Sequence, residues 1–200
     1  SLAWNDANGS NNFTDLVVNI QPTLEELALG TNLQNSSQAE LIDLTGLSQD
    51  VVTADFSVFR EAAFNNEVYF YKVDIDGKVD GFVPNTSTYQ QAALDNLVKD
   101  AVTGEVIKFS AANQSVETGS TQIETGSIIA PLIIIDGSLE QLTDSDTSNN
   151  PQVYFPYLGA NADGVDHIRL LADNTFGFED LPNGGDFDYN DLIVKMDFTI

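Results

Sequence analysis

The chain has 200 residues, 42% of them hydrophobic, enough to bury a core as one large domain or as one domain with an appendage. Its 31 Asp and Glu residues outnumber 7 Lys and Arg, and the formal charge of -24 argues against nucleic acid and anionic membranes as partners. The absence of Cys excludes disulfides and thiolate sites, and a single His excludes most histidine-built metal sites and most catalytic triads. The longest apolar run, residues 128–135, is far shorter than the roughly 20 residues of a membrane-spanning helix, so membrane insertion is not expected.

The first 20 residues resemble the C-terminal end of the chain. Trp4-Asn5-Asp6, Gly9 and residues 13–20 match Phe178-Glu179-Asp180, a glycine pair and residues 189–196. Either the likeness is chance, or residues 1–20 are the worn end of a preceding repeat and indicate a tandem array or a head-to-tail assembly. A terminal strand that completes a neighbour's sheet would make the chain polymerise. We therefore divide the chain into an N-terminal strand segment, residues 1–20, and a calcium-binding β-sandwich domain, residues 21–200.

Short runs rich in β-branched and aromatic residues, separated by turn residues, follow this segment. They predict strands over residues 51–59, 67–73, 106–110, 127–135, 153–157, 166–171 and 191–198. Asp76-Gly77 predicts a hairpin turn after the second of these strands. The run 127–135 is apolar on both faces, so we place it centrally, between two packed layers.

Two helices are predicted among these strands. Residues 22–29 begin with a proline and two acids in the first turn and are followed by Gly30. A capping-box pattern at Thr88 and Gln91 predicts a second helix that continues to Val98. Strand number and spacing then predict a mainly β protein, a jelly-roll-like β-sandwich with one or two short helices.

The stretch from residue 173 to residue 191 carries six acids and no Lys or Arg. Asp and Asn alternate after a Gly184-Gly185 turn, which aims several oxygens at one point. Calcium requires about six to eight oxygen ligands at about 2.3–2.6 Å, and magnesium prefers fewer protein ligands and keeps its waters. The alternative is a solvated acidic loop. We predict Ca²⁺ as the cofactor, with candidate ligands Glu179, Asp180, Asp186, Asp188, Asn190 and Asp191.

A second oxygen-rich loop, residues 161–167, precedes this stretch. Asp163 and Asp166 either join the same metal site, form another one, or belong to a plain Asp-Gly turn. His167 stands alone at a strand start, where a structural hydrogen-bonding role is favoured because calcium sites seldom use imidazole. The loop 144–150 and the turn 74–80 are weaker candidates, since the first lacks glycine and the second lacks the closing Glu of a helix–loop–helix calcium site.

The sequence F-G-F-E-D-L-P-N-G-G-D-F-D-Y-N-D-L-I-V, residues 176–194, resembles the end of an uncharacterised domain family of large secreted bacterial proteins. The likeness extends over residues 51–196, with a similar hairpin, helix, apolar strand and Asn-x-Asp-Gly-x-Asp-His stretch. It implies a calcium-dependent, β-rich module of surface, matrix or adhesion proteins, without enzymatic activity. Phe187 stands where many relatives carry a basic residue, which leaves this loop more negative.

Two non-catalytic functions are consistent with these patterns. The first is a secreted structural or adhesive module of a bacterial surface or extracellular matrix protein, whose C-terminal loop is locked by calcium and which assembles head to tail. The alternative is a calcium-dependent carbohydrate-binding module, with Tyr154, Tyr157 or Trp4 stacking on a polysaccharide. A hydrolase is disfavoured, because the adjacent Glu179 and Asp180 would point in opposite directions on a strand and no serine lies in a nucleophile-elbow sequence.

Overall fold

The structure, a computed structural model, describes residues 40–199 and the backbone of residues 2–4 and 16–18. The helix predicted over residues 22–29 lies outside the described residues, as does most of segment 1–20. The strands are β1 (Leu2–Trp4), β2 (Leu16–Val18), β3 (Ile42–Asp43), β4 (Val51–Arg60), β5 (Glu67–Val73), β6 (Ser115–Glu124), β7 (Ile128–Ile134), β8 (Val153–Tyr154), β9 (Ile168–Ala172), β10 (Thr175–Phe178) and β11 (Leu192–Thr199). The helices are α1 (Tyr89–Asp95) and α2 (Leu139–Thr143), with short 3-10 turns at Thr147–Asn149, Leu158–Ala160 and Pro182–Gly184.

The larger sheet is antiparallel, with strand order β6-β4-β11-β10-β9. Strand β4 pairs with β6 along its whole length, from Val51 opposite Glu124 to Arg60 opposite Ser115. Strands β10 and β11 are neighbours that begin pairing at Phe178 opposite Leu192. The chain between them, residues 179–191, contains most of the acids of the predicted calcium stretch, and we refer to it as the acidic loop.

The second sheet is built around β7, with β3 and β8 on one side and β5 on the other. All seven residues of β7 are buried. The predicted central position of this run is therefore confirmed, because a strand that is apolar on both faces requires a packed layer on each side.

One core lies between the two sheets and contains residues of both. Phe70 of β5 meets Phe176 of β10 edge to face, with ring centroids 5.5 Å apart, and Val58 and Val194 are fully buried in the same cluster. A second core lies on the other face of the β7 sheet, where Tyr89 of α1 packs with β5 and β7 residues. The predicted mainly β fold, a β-sandwich with one or two short helices, is confirmed, although α2 was not among the predicted helices.

Helix α1 begins after Thr88 as predicted, but its capping and its C-terminal end differ from the prediction. The Thr88 side chain makes no capping hydrogen bond, and the helix ends at Asp95 instead of continuing to Val98. A capping interaction is found at α2, where the Ser138 N–H donates to Gln141 Oε1 at 2.9 Å. The predicted capping box was therefore wrong, because Thr88 itself has helical backbone angles and a cap side chain works from an extended residue.

Several strand boundaries also differ from the prediction. Residues 106–110 form no strand and contribute only isolated pairings of Val106 with Lys99 and of Phe109 with Val68. The strand predicted over 153–157 ends at Tyr154, and β3, β6 and β10 were not predicted. Strand β6 is largely exposed and polar, so it has no hydrophobic periodicity and owes its conformation to pairing with β4.

Candidate metal centre

The two ends of the acidic loop are held together at its base. The Asp180 N–H donates to Asp191 Oδ2 at 2.8 Å, and the Glu61 N–H donates to the Asp191 carbonyl at 3.1 Å. Asp180 Oδ2 accepts from Asn66 Nδ2 at 2.7 Å in a buried contact. Because β10 and β11 pair up to Phe178 and Leu192, the loop is closed on itself and its side chains converge.

Three carboxylates meet inside the loop. One oxygen from each of Glu179, Asp186 and Asp188 lies within 4.8 Å of the others. Glu179 is buried, whereas Asp186 and Asp188 are exposed. None of the six ion pairs among the described residues involves these three side chains. We refer to them as the acidic cluster.

The backbone of the loop adopts left-handed angles at five of the seven positions 183–189, including the non-glycine residues Asn183, Phe187 and Tyr189. Gly185 has a φ of +50°, and a Cβ on it would lie 2.6 Å from Glu179 Oε2. Glycine is therefore required there both by the backbone angle and by the approach of the chain to the buried carboxylate. The sequence pattern of two glycines followed by alternating acids has this physical basis.

The negative charge of the buried Glu179 carboxylate is not balanced by a cationic side chain among the described residues. Burial raises its pKa, and the charges of Asp186 and Asp188 raise it further, against the opposing hydrogen bond from the Tyr189 N–H to Oε1 at 2.8 Å. A divalent cation between the three carboxylates would reverse these repulsions, and carboxylate oxygens are the hard ligands that calcium prefers.

Asp191 experiences a similar excess of negative charge at the loop base. The pKa of Asp191 is raised to about 6, mainly by burial and further by the nearby charges of Asp180 and Glu179, which together outweigh the lowering effect of the Asp180 N–H. Asp180 and Asp191 thus form an acidic pair in addition to the acidic cluster. The structure places them at the base of the loop, and their role as direct metal ligands stays a prediction.

Asn190 points toward Asp188 and not away from it. Its Nδ2 donates to Asp188 Oδ2 at 2.6 Å, and its backbone N–H donates to Asp188 Oδ1 at 3.2 Å. Asn190 therefore orients one carboxylate of the acidic cluster in this structure. Its predicted role as a metal ligand is not tested by this contact.

The structure does not place Asp163 in the acidic cluster. Asp163 Oδ2 accepts from His167 Nε2 at 2.9 Å and from the Asn183 N–H at 3.0 Å, which ties the feeder loop 161–167 to the acidic loop. Burial opposes ionisation of Asp163, but these bonds and the Val165 N–H outweigh it and lower its pKa. Asp163 thus already has three donors.

His167 is completely buried and connects the feeder loop to the acidic loop through contacts of both ring nitrogens. Its Nδ1 contacts the Glu179 carbonyl oxygen at 3.1 Å, and its ring stacks on Tyr154 with centroids 3.4 Å apart. Both ring nitrogens therefore have hydrogen-bond partners, in keeping with the structural role predicted for this histidine.

Asp166, the other acid of the feeder loop, has hydrogen-bond partners outside the acidic cluster. Its Oδ2 accepts from Arg169 Nε at 2.9 Å and lies 3.3 Å from the Tyr189 hydroxyl. The Arg169 guanidinium also covers the Tyr189 ring, 4.1 Å from its centroid. Asp166 thus positions an aromatic residue of the acidic loop, and it is not among the three clustered carboxylates.

In the two weaker candidates for a metal site, loop 144–150 and turn 74–80, the acids form hydrogen-bonded turns. Asp146 accepts from the Ser148 N–H at 3.1 Å, and Asp74 accepts from the N–H groups of Asp76 and Lys78. Gly77 has a φ of +75° and packs against Tyr157, so the Asp76-Gly77 turn is formed as predicted.

The sequence analysis missed Asn66, the hydrogen-bond partner of Asp180. Asn66 is 114 residues from Asp180 and carries no local signal.

The fold and the acidic cluster together define a β-sandwich with a carboxylate-lined loop between adjacent strands. A family model described as "Domain of unknown function (DUF4114)" matches residues 123–199, which include β7 to β11 and the whole acidic loop. This part of the chain is thus similar to an uncharacterised domain family. No match was found among curated proteins or among solved structures. Within the described residues, no helix has the length and apolarity to cross a bilayer.

Proposed function

We propose that this protein is a non-catalytic, secreted calcium-binding module with a structural or adhesive role in a bacterial surface or extracellular matrix protein. The acidic cluster carries this proposal: one buried and two exposed carboxylates lie within 4.8 Å of one another without an ion pair. Glu179, Asp186 and Asp188 would hold the ion, and loop carbonyls and water would complete its coordination.

Calcium would act by stabilising the folded state. An ion that binds only the folded chain adds RT ln(1 + [L]/Kd), about 1.4 kcal/mol when Kd is tenfold below ambient calcium and about 4 kcal/mol when it is a thousandfold below. The acidic loop closes the β10–β11 hairpin of the larger sheet. Binding there would therefore reinforce the sandwich as a whole, and mechanical resistance is what an adhesive or matrix module requires.

Thermal unfolding in chelator and across a calcium titration, with magnesium as the control ion, tests this function. We expect a saturable rise in Tm that is specific for calcium, and loss of most of that rise in Asp186→Asn. Asp173→Asn is the matched control, since Asp173 is an exposed acid in the β9–β10 turn outside the acidic cluster. If the Tm of the wild-type chain were the same in chelator and in calcium, the acidic loop would be a solvated surface loop and not a calcium site.

Head-to-tail assembly forms part of the proposal. The N-terminal strands β1 and β2 pair with each other in this structure, from Leu2 opposite Val18 to Trp4 opposite Leu16. Strand β6 forms one edge of the larger sheet, and apart from Gln122, whose backbone bonds Asp100 and Ala101, this edge could pair with a strand from another chain. Light scattering of the full chain and of a chain lacking residues 1–20 tests this; monomers of both at every calcium concentration would remove assembly from the proposal.

A calcium-dependent carbohydrate-binding module is the second candidate. Tyr154 and Tyr157 are buried, which leaves them without a surface for sugar stacking, and the Trp4 side chain lies outside the described residues. Phe187, by contrast, lies between Asp186 and Asp188 in sequence and is 53% exposed. This aromatic surface at the acidic cluster favours sugar binding, and a glycan array read with calcium and with chelator is the test. Absence of binding would leave the structural role.

A further inference from the structure

A cleft of about 230 Å³ opens outside the acidic loop, where residues 97–104 meet the ends of β6 and β7. Its apolar lining includes the exposed Ala101 and four buried core residues, Leu97, Val98, Ile123 and Ile129. For comparison, an apolar cavity of about 150 Å³ holds benzene, and pockets for drug-sized ligands begin at about 300 Å³. The cleft therefore fits a molecule of one ring or a short chain.

Two of the seven basic residues of the chain, Lys72 and Lys99, lie at this cleft. Lys72 is paired with Glu124 at 3.3 Å. Lys99 differs from every other Lys and Arg in the described part of the chain, because it alone has no hydrogen bond or ion pair from its side chain to a described residue. Lys99 is solvent-exposed and lines the cleft, so its ammonium group is available to bind an anion there.

The acid nearest in sequence to Lys99 is occupied elsewhere. Asp100 Oδ2 accepts from Thr121 Oγ1 at 2.7 Å and from the Gln122 N–H at 2.9 Å, and Oδ1 accepts from the Val102 and Thr103 N–H groups. These hydrogen bonds hold the pKa of Asp100 well below its usual range. Asp100 therefore fixes the backbone of the cleft rim, and its charge is directed at backbone donors.

Ser127 supplies a further polar group. It lines the cleft, and its Oγ is enclosed without a hydrogen-bond partner among the described residues. A buried hydroxyl without a partner is destabilising, by about 1–3 kcal/mol, unless a ligand or water satisfies it. Because Glu124 pairs with Lys72, Lys99 is the one cation of the lining without an ion pair among the described residues, which suits a ligand with a single negative charge better than a phosphate dianion.

We propose that this cleft binds a small monocarboxylate with an apolar ring or chain, its carboxylate on Lys99 and its apolar part on the core residues beneath. The binding is separate from the acidic loop and does not depend on calcium. The ligand class includes aromatic acids and sugar acids such as a hexuronate, which share the carboxylate and an apolar face.

Titration of the full chain with benzoate, glucuronate and inorganic phosphate, followed by backbone amide NMR in saturating calcium, tests this proposal. We expect benzoate or glucuronate to shift amides of residues 97–104 and 123–129, and Lys99→Gln to weaken that binding about tenfold or more. Lys195→Gln is the matched control, since Lys195 is an exposed lysine paired with Asp197 on β11. Which acid binds more tightly identifies the source of the carboxylate.

Ser127→Ala provides a second variant that leaves the charge unchanged and should also weaken binding. Unshifted amides with both carboxylates would overturn the proposal, as would phosphate shifting the same amides more strongly than either acid. Binding that survives Lys99→Gln unchanged, in a variant whose Tm matches wild type, would overturn it as well.

Discussion

The backbone N–H of Asp180 donates to Oδ2 of Asp191 at 2.8 Å, across an eleven-residue separation. This hydrogen bond joins the loop residues that follow β10 to the residue that precedes β11, and it brings two carboxylates together at the loop base. Asp186 and Asp188 of the acidic cluster lie within the segment that this contact closes, and Glu179 directly precedes it. An acidic side chain thus serves as a structural clamp in the same loop whose other acids form a candidate metal centre.

Replacement of Asp191 by asparagine should reveal the electrostatic strain at the loop base. The pKa of Asp191 is raised to about 6 in the folded chain, mainly by burial, so its ionised form is disfavoured there relative to the unfolded chain. Folded stability from this group is therefore greatest below about pH 4 and is lost as the pH rises through about 6. The asparagine side chain would keep an oxygen acceptor for the Asp180 N–H without the charge.

Urea unfolding in chelator at pH 7 and at pH 4 measures this effect. We expect Asp191→Asn to exceed wild type by about 1 kcal/mol at pH 7, a value reduced for the partial exposure of the carboxyl, and to show no advantage at pH 4. A stability difference of the same size at both pH values would contradict the assignment.

Glu179→Gln should have opposite effects in chelator and in calcium. Glutamine keeps an oxygen for the Tyr189 N–H but removes the buried charge that faces Asp186 and Asp188. In chelator the variant should be as stable as wild type or more so, because the repulsion is relieved. In calcium its Tm rise should be smaller and its calcium affinity at least tenfold weaker, as measured by calorimetric titration.

Equal loss of stability of Glu179→Gln in chelator and in calcium would show that Glu179 acts only through its hydrogen bond to Tyr189. Asp173→Asn again serves as the charge-matched control, because it removes one negative charge at a distance from the acidic cluster in the β9–β10 turn.

Gly185→Ala should destabilise the fold and weaken calcium binding together. A Cβ at this position would lie 2.6 Å from Glu179 Oε2, at a backbone φ of +50°. Gly126→Ala is a matched control, since Gly126 has a φ of +81° and no atom near the added Cβ. We expect about 1 kcal/mol of backbone strain in each variant, measured by urea unfolding, and a further loss only in Gly185→Ala.

The additional loss should include a weaker calcium response, because the added methyl group displaces a carboxylate of the acidic cluster. Identical calcium affinities for the two alanine variants would contradict this role of Gly185.

His167→Phe should destabilise the chain by about 2–4 kcal/mol whether calcium is present or not. Phenylalanine retains the ring stacked on Tyr154 but removes both nitrogens, leaving Asp163 and the Glu179 carbonyl without this partner. The measurement is urea unfolding in chelator and in saturating calcium. A loss confined to calcium would instead identify His167 as a ligand of the ion.

Much of the fold could be predicted because its strongest elements carry local signals. Strand β5 was predicted at residues 67–73, where β-branched and aromatic residues are concentrated, and the structure has the same bounds. The central position of β7 followed from its lack of polar residues on either face. Strand β6 could not be predicted in this way, because a polar, exposed edge strand is specified by its partner β4 and not by its own periodicity.

The acidic loop was also readable from the sequence, since Gly184-Gly185 and the alternating acids concentrate turn and ligand chemistry within a few residues. The sequence did not predict which of those acids would converge in the folded protein. Only the tertiary structure joins Glu179 to Asp186 and Asp188, directs Asp163 to His167, and directs Asp166 to Arg169. Sequence spacing limits which carboxylates can meet along a loop, whereas the partners that occupy them come from strands and loops that are distant in the chain.

Composition and local pattern thus determined a β-rich, strongly acidic chain with one concentrated oxygen-ligand loop. The tertiary structure decided which carboxylates converge without an ion pair among the described residues, and it assembled the cleft at Lys99 from three separate segments. The physical reason is that burial and hydrogen bonding depend on which residues become neighbours when the sheets pack. Such neighbours, like Asn66 and Asp180 across 114 residues, leave no mark in the local sequence.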